Sequence, residues 1–207
     1  MVAKAQRWSR DDISALLARP AVMPGERDTH VVALPADARV MLAAVLIPLI
    51  PRDDDIHVLL TQRSAHLKDH PSQISFPGGR VEGGDQDRVE TALREAEEEI
   101  GLTREHVTIL GSLPDYDMPS GFRISPVIGW IEPPFELKLD PIEVESAFEV
   151  PLSYLIDPAN HEYRRYEFNG RSRDYLAMPY EGRYIWGATA GMLMTLRRLL
   201  QTRTAHT

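Results

Sequence analysis

Residues 94–102 read Arg-Glu-Ala-Glu-Glu-Glu-Ile-Gly-Leu, or REAEEEIGL in one-letter code. On a helix this spacing places Glu95, Glu98 and Glu99, at i, i+3 and i+4, on one face. Like charges this close repel by roughly a few tenths of a kcal/mol per pair even in solvent. A divalent cation relieves that repulsion. Carboxylate oxygens suit Mg²⁺ or Mn²⁺, and the chain has no cysteine to offer a softer site. An isolated Glu-Glu-Glu run is ordinarily a solvated helix face, so the residues around it must decide between the two readings.

Upstream lie Phe76-Pro77-Gly78-Gly79, then a polar stretch with Gly83 and Gly84. Val89, Ala92, Leu93, Ala96 and Ile100 recur at helical spacing, which predicts a helix that buries one stripe and shows its glutamates on a neighbouring face. Asp85 or Asp87 can cap its start, and Gly101 stands where a helix stops. The order is a short strand, a glycine loop and a capped acidic helix. Such a loop lets the backbone approach a ligand closely and turn its carbonyls or amides toward it.

Residues 79–102 resemble the Nudix box, G-x5-E-x7-R-E-U-x-E-E-x-G-U, where U is a bulky aliphatic residue. Arg94, Glu95, Glu98, Glu99, Gly101 and Leu102 fall on its second half, with Ala96 a small substitute at the first U. In the first half, Asp85 meets the pattern's lone glutamate, and eight residues rather than seven then precede Arg94. One residue is inserted in the loop or first turn, and the sequence leaves the role of Asp85 open. Residues 59–79, LLTQRSAHLKDHPSQISFPGG, look like the signature that precedes the box in coenzyme A pyrophosphatases of this superfamily. Leu59, Leu60, Thr61, Arg63, Ser64 and the FPGG tetrapeptide match it. Lys68 replaces its arginine, keeping the charge without the bidentate fork, and Ser72 replaces its glycine. PSGFRISPVIG (119–129), EVESAFEVPLSYL (143–155) and YIWGATAGML (184–193) resemble the same subfamily, so the likeness covers roughly residues 40–200.

The resemblance implies a Nudix-type α/β/α sandwich with a mixed sheet and a C-terminal helix. It also implies metal-dependent hydrolysis of the diphosphate of coenzyme A or its thioesters, to 3′,5′-ADP and a 4′-phosphopantetheine species. Glu95, Glu98 and Glu99 would hold Mg²⁺ or Mn²⁺ with the Gly79 carbonyl. A further acid outside the box often joins such sites, and Glu143, a few residues before the VPL strand, is the candidate. Arg94 would pair with a box carboxylate and hold it in place. The general base stays open between Glu98 and Glu99. Arg63, Lys68, Arg80 and Arg123 are the cations nearest these motifs and the candidates to meet substrate phosphates. Lys68 and Ser72 keep a second substrate class in view, another nucleoside diphosphate derivative such as a nucleotide sugar or dinucleotide. A catalytically silent Nudix-fold binding module is the third reading, and the intact Glu95, Glu98 and Glu99 argue against it.

The chain's 207 residues suffice for one full core, with an N-terminal helix and linker over 1–35 and the Nudix domain over 36–203. Net charge is −8 with a pI near 5.4, which excludes a broad basic surface for nucleic acid. The longest apolar run, VMLAAVLIPLI at 40–50, is shorter than the roughly 20 residues a membrane helix needs. It reads as a buried strand. No signal-peptide pattern opens the chain, so a cytoplasmic location without membrane contact is expected. The expected partner is a small nucleoside diphosphate substrate, and the oligomeric state stays open, a homodimer included.

Ser9 and Asp12 resemble a capping pair that opens a helix through Leu17, and Pro20 to Pro35 reads as a linker. The strand pattern continues at 56–62, after a Pro51–Asp55 turn, and near 107–113, 122–131 and 147–151. Strands at 162–168 and 173–178 flank an Asn169-Gly170 hairpin signal. An apolar helix from about Ile185 to Leu200 precedes a polar tail. His66 and His70 stand four apart, but Pro71 disfavours a helix there and with it a metal pair. Met192 and Met194 read as core packing.

Overall fold

The computed structural model describes residues 8–19, 40–168 and 171–202. The chain runs α1 (Arg10–Leu17), β1 (Met41–Pro51), β2 (Ile56–Arg63), β3 (Ile74–Ser75), β4 (Gly78–Arg80) and α2 (Arg88–Ile100). It continues with β5 (Val107–Ser112), β6 (Tyr116–Asp117), β7 (Phe122–Ile131), β8 (Val144–Pro151) and α3 (Leu152–Ile156). The last elements are β9 (Glu162–Phe168), β10 (Arg171–Tyr180), β11 (Arg183–Trp186) and α4 (Gly187–Gln201).

The main sheet is mixed. β1 runs parallel to β7, from Met41 opposite Phe122 to Leu49 opposite Trp130, and antiparallel to β2. β2 continues the sheet to β8, and β7 continues it to β5 on the other side. β1 is an unbroken apolar run because both faces of a central strand are covered. Ala44, Leu46 and Ile50 pack with Leu59, Val127 and Ile131 against Ala92, Ala96 and Ile100 of α2. Ile47 and Leu49 face the other way and pack with Val58, Leu60 and Ile128 against Ile13 and Leu16 of α1 and Leu193, Leu196 and Leu200 of α4. Helix, sheet, helix: the expected sandwich is present. β9, β10 and β11 form a separate three-stranded sheet.

Helix α1 starts on the reciprocal Ser9–Asp12 capping box, as expected from its sequence. It packs on the common core, while the expected boundary near residue 35 and the linker from Pro20 to Pro35 lie outside the described residues. Asn169-Gly170 also lies outside them, although the flanking strands pair with Arg171 opposite Phe168. β8 begins at Val144, three residues before the expected start, because it pairs with β2 as far as Arg63. The expectation of a last helix from Ile185 requires correction. Ile185 and Trp186 lie in β11, opposite Met178 and Ala177, and the helix begins at Gly187. A non-local ladder has captured two apolar residues whose local pattern suits either element.

Candidate active site

Gly78 and Gly79 sit on β4, which pairs antiparallel with β1 at Val45 and Ala44. A Cβ on Gly78 would stand 2.4 Å from the Ala44 carbonyl oxygen, so only glycine allows this approach. A Cβ on Gly79 would stand 2.3 Å from Glu95 Oε1. The second glycine thus leaves the space that the Glu95 carboxylate fills. Asp87 caps α2 by accepting from the Glu90 N–H at 2.9 Å, and Gly101 ends it at φ 69°.

Asp85, the other capping candidate, does something different. Its carboxylate accepts from Arg94 Nε at 3.0 Å and Nη2 at 3.2 Å, from Thr91 Oγ1 at 2.8 Å and from the Glu82 N–H at 2.9 Å. These donors, the Arg94 guanidinium first among them, hold the Asp85 carboxyl well below the usual carboxylate range. The Asp85 N–H also donates to the Glu82 carbonyl, so a tight turn over 82–85 absorbs the additional residue of the box. Arg94 in turn donates to the Arg80 carbonyl at 3.0 Å. Its Nη1 lies 2.9 Å from both Glu95 Oε1 and Glu98 Oε2. Arg94 therefore ties the glycine loop, the box turn and two box glutamates together.

The three box glutamates occupy different environments. The Glu99 side chain is 5% exposed, that of Glu95 14% and that of Glu98 59%. Glu99 Oε2 accepts from the Gly78 N–H at 3.2 Å, and its Oε1 lies 3.7 Å from Arg63 Nη1. Burial pushes the Glu99 carboxyl up to about 8, and the neighbouring Glu95 and Glu143 add to the rise. Gly78 and Arg63 oppose it without cancelling it. Burial also raises Glu95, with Glu98 and Glu143 adding to the shift against Arg94.

Glu143 reaches this neighbourhood through the backbone. The Asp140 N–H donates to the Glu99 carbonyl at 2.9 Å, and the Lys138 N–H to that of Ile100 at 2.8 Å. This staples the 138–143 segment to the end of α2, and the Ser64 N–H fixes the Glu143 carbonyl at 2.9 Å. Glu143 thus lies close enough to add to the upward shifts of Glu95 and Glu99, which Arg94 and Arg63 oppose, and all three carboxylates offer the oxygen donors that a hard divalent cation takes. As the side chains lie, no three His, Asp or Glu residues among those described are gathered closely enough to hold an ion, since Arg94 engages Glu95 and Glu98.

The glycines open onto a cleft of about 950 Å³. Arg63 and Arg80 line it, and Arg80 also stacks over Phe122 with its guanidinium carbon 5.2 Å from the ring centre. Lys68 stands exposed in the β2–β3 loop and does not line the cleft. Arg123 does not line it either, because Asp117 holds its Nε at 2.7 Å and its Nη2 at 2.9 Å. His70 does line it, from a left-handed backbone conformation at φ 55°, and Ser72 shares that conformation at φ 58°. Ser72 stands where the resembled signature has glycine, and its backbone takes a left-handed conformation that glycine adopts most readily. Tyr175, Tyr184 and Trp186 also face the cleft. Sequence reasoning named none of them as site residues, although Tyr184 and Trp186 lie in the YIWGATAGML stretch that resembles the subfamily.

The NUDIX domain family matches residues 41–168. The chain is 41% identical over 158 residues to a Citrobacter koseri protein named "Uncharacterized Nudix hydrolase NudL" and 39% identical over 158 residues to its Escherichia coli namesake. Each alignment covers 74% of this chain and 80% of the relative. Among solved structures, the Nudix hydrolase RenU from M. smegmatis superposes with a TM-score of 0.54 at 18% identity, over 78% of this chain and 86% of that one. The MutT protein from Methanosarcina mazei superposes at 0.51 and 16% identity, over 84% of this chain and all of that one (100%). These two share the fold. The chain belongs to the Nudix hydrolase family, whose members generally need a divalent ion such as Mg²⁺ or Mn²⁺. Among the described residues no helix is long and apolar enough to cross a membrane.

Proposed function

We propose that the protein hydrolyses the diphosphate bond of coenzyme A or its thioesters in a metal-dependent reaction. The observation that carries this reading is the position of Arg63. It belongs to the LLTQRS part of the coenzyme A pyrophosphatase-like signature, lies 3.7 Å from Glu99, and lines the cleft beside Gly78 and Gly79. The signature and the box thus meet at one place.

In this reading Arg63 and Arg80 bind the diphosphate oxygens and offset their charge, which is most of what phosphoryl transfer asks of a protein. Glu95, Glu98, Glu99 and Glu143, with the Gly79 carbonyl, are the groups that would hold Mg²⁺ or Mn²⁺. When bound, the ion supplies a more acidic water and charge compensation at the leaving oxygen. Arg94 orients Glu95 and Glu98, and Asp85 orients Arg94. A bond forms between water oxygen and phosphorus, the bond from phosphorus to the bridging oxygen breaks, and the products are 3′,5′-ADP and 4′-phosphopantetheine or its acyl derivative.

The test is incubation of the purified protein with coenzyme A and Mg²⁺ or Mn²⁺, with products identified by mass spectrometry and a chelator control. Metal-dependent 3′,5′-ADP and 4′-phosphopantetheine support the reading. Cleavage of a nucleotide sugar or dinucleotide with coenzyme A untouched favours the second reading.

A further inference from the structure

The cleft is larger and more apolar than a diphosphate needs. Its volume of about 950 Å³ is at the upper end of the roughly 300–1,000 Å³ usual for small-molecule sites. Its charged lining includes Arg63 and Arg80, beside the glycines, and His70 lines it too. Much of the rest is an uncharged wall assembled from distant segments: Met118 before β7, Phe122 on β7, Tyr175 on β10, Tyr184 and Trp186 on β11, and Met192 on α4. Trp186 remains 39% exposed, a large apolar area for a single ring to leave in water.

Coenzyme A has two unlike halves on either side of its diphosphate. The nucleotide half carries a flat purine and a further phosphate. The pantetheine half is an uncharged, flexible chain with a gem-dimethyl group and two amides. The wall suits the second. A purine sandwiched between two rings needs parallel faces with a ring's thickness between them. Tyr175 and Trp186 instead meet edge to face, with centroids 5.8 Å apart and planes at 68°, which closes such a slot. Methionines conform to a bent aliphatic chain. The Tyr184 hydroxyl sits buried in the wall, and burial first, then Tyr175, pushes it up to about 12. It therefore keeps its proton, and the wall carries no charge there.

We propose that the wall formed by Met118, Tyr184, Trp186 and Met192 seats the pantetheine arm of the substrate. The nucleotide half then leaves the diphosphate on the side away from this wall. The assignment rests on the coenzyme A reading above and adds the direction in which the substrate lies.

The test measures binding of the two half-molecules, 4′-phosphopantetheine and 3′,5′-ADP, by calorimetry, alongside hydrolysis of coenzyme A. The proteins are the wild type, Trp186→Ala and Met118→Glu. The second variant places a carboxylate on the wall without touching β11, in case Trp186→Ala fails to fold. The expected result is a loss of at least about tenfold in affinity for 4′-phosphopantetheine, a size that burial of two or three methylenes accounts for, with 3′,5′-ADP affinity changed far less. A purely structural defect would weaken both halves alike. Coenzyme A hydrolysis with equal weakening of both halves, or weakening of 3′,5′-ADP alone, overturns the seat and leaves the coenzyme A reading standing. Absence of coenzyme A hydrolysis together with no binding of either half overturns the coenzyme A reading and the seat with it.

Discussion

Arg94 grips Asp85 side-on, through Nε at 3.0 Å and Nη2 at 3.2 Å, across a box that has one residue more than the usual pattern. The Asp85 side chain is 4% exposed and that of Arg94 22%, so water screens the pair little. Removing the Asp85 charge takes both of these bonds from the guanidinium and leaves it Glu95 and Glu98 alone among carboxylates. Asp85→Asn is expected to lower unfolding stability by about 3 kcal/mol, read from denaturant midpoints at pH 7. The pH dependence has a fixed sign. The folded-state pKa lies below the unfolded one, so this contribution is present above the ordinary carboxylate range and is lost as pH falls through it toward the depressed value. The variant should show a shallower loss of stability between about pH 5 and pH 2. An identical acid profile for both proteins would mean that the ion pair does not hold the box together.

Glu98 is the outward carboxylate, 59% exposed and paired with Arg94 along the helix. An exposed pair at this spacing is worth only about 0.3–0.5 kcal/mol, so Glu98→Gln should melt within a degree or two of the wild type. If the glutamate holds metal, turnover should drop by about two orders of magnitude or more, in line with losses at other electrostatic catalytic groups. Steady-state rates at saturating Mg²⁺ check this. Near-normal turnover would remove Glu98 from the metal assignment.

Much of the framework around this site was legible before the structure. Helix α2 followed from Val89, Ala92, Leu93, Ala96 and Ile100, with Gly101 at its end and either Asp85 or Asp87 at its start, of which Asp87 is the cap, because capping and helical periodicity are local properties. Strand β7 matched its expected limits of 122 and 131, where an apolar run is bounded by turn residues. The grip of Arg94 on Asp85 was not legible. Counting residues assumes a fixed path, whereas the turn over 82–85 takes up the insertion and returns the carboxylate to the guanidinium. The cleft wall was equally hidden, since Met118, Tyr175 and Trp186 meet only through packing of three separate segments. Lys68 and Arg123 were proposed by proximity in sequence. A loop turned outward and an Asp117 partner set their surroundings instead.

Glu99 carries a testable pH signature in chelator-treated protein. Burial raises its folded-state value to about 8, so the folded protein binds a proton that the unfolded chain releases near its ordinary carboxylate value. Stability contributed by that proton is present at low pH and is lost as pH rises toward 8. Glu99→Gln keeps an oxygen for the Gly78 N–H and removes the charge. Metal-free Glu99→Gln should therefore be more stable than metal-free wild type above about pH 8, by an amount on the order of a few kcal/mol, while losing hydrolytic activity. Excess Mg²⁺ or Mn²⁺ should stabilise the wild type at that pH and leave the variant nearly unchanged. Thermal melts at pH 5 and 8.5, with and without metal, measure all four corners. A variant that gains nothing at pH 8.5 would contradict the buried, proton-binding state of Glu99.

Gly78 and Gly79 are adjacent yet predict opposite outcomes. A methyl group on Gly78 meets backbone, 2.4 Å from the Ala44 carbonyl oxygen and 2.6 Å from the Val45 Cα. Neither atom can retreat without parting β4 from β1. Gly78→Ala should cost about 3 kcal/mol or more in stability, at or beyond the top of the usual range for overpacking. A methyl group on Gly79 meets only the Glu95 carboxylate, at 2.3–2.7 Å, the far end of a flexible side chain. Gly79→Ala should fold with a stability loss of about 1 kcal/mol and displace the Glu95 carboxylate. A misplacement of about 1 Å at a catalytic group is worth roughly 100-fold in rate. Paired denaturation and steady-state measurements on the two variants separate the roles. Gly79→Ala with full activity would show that the Glu95 carboxylate is free to work elsewhere, and the glycine would then serve the strand alone.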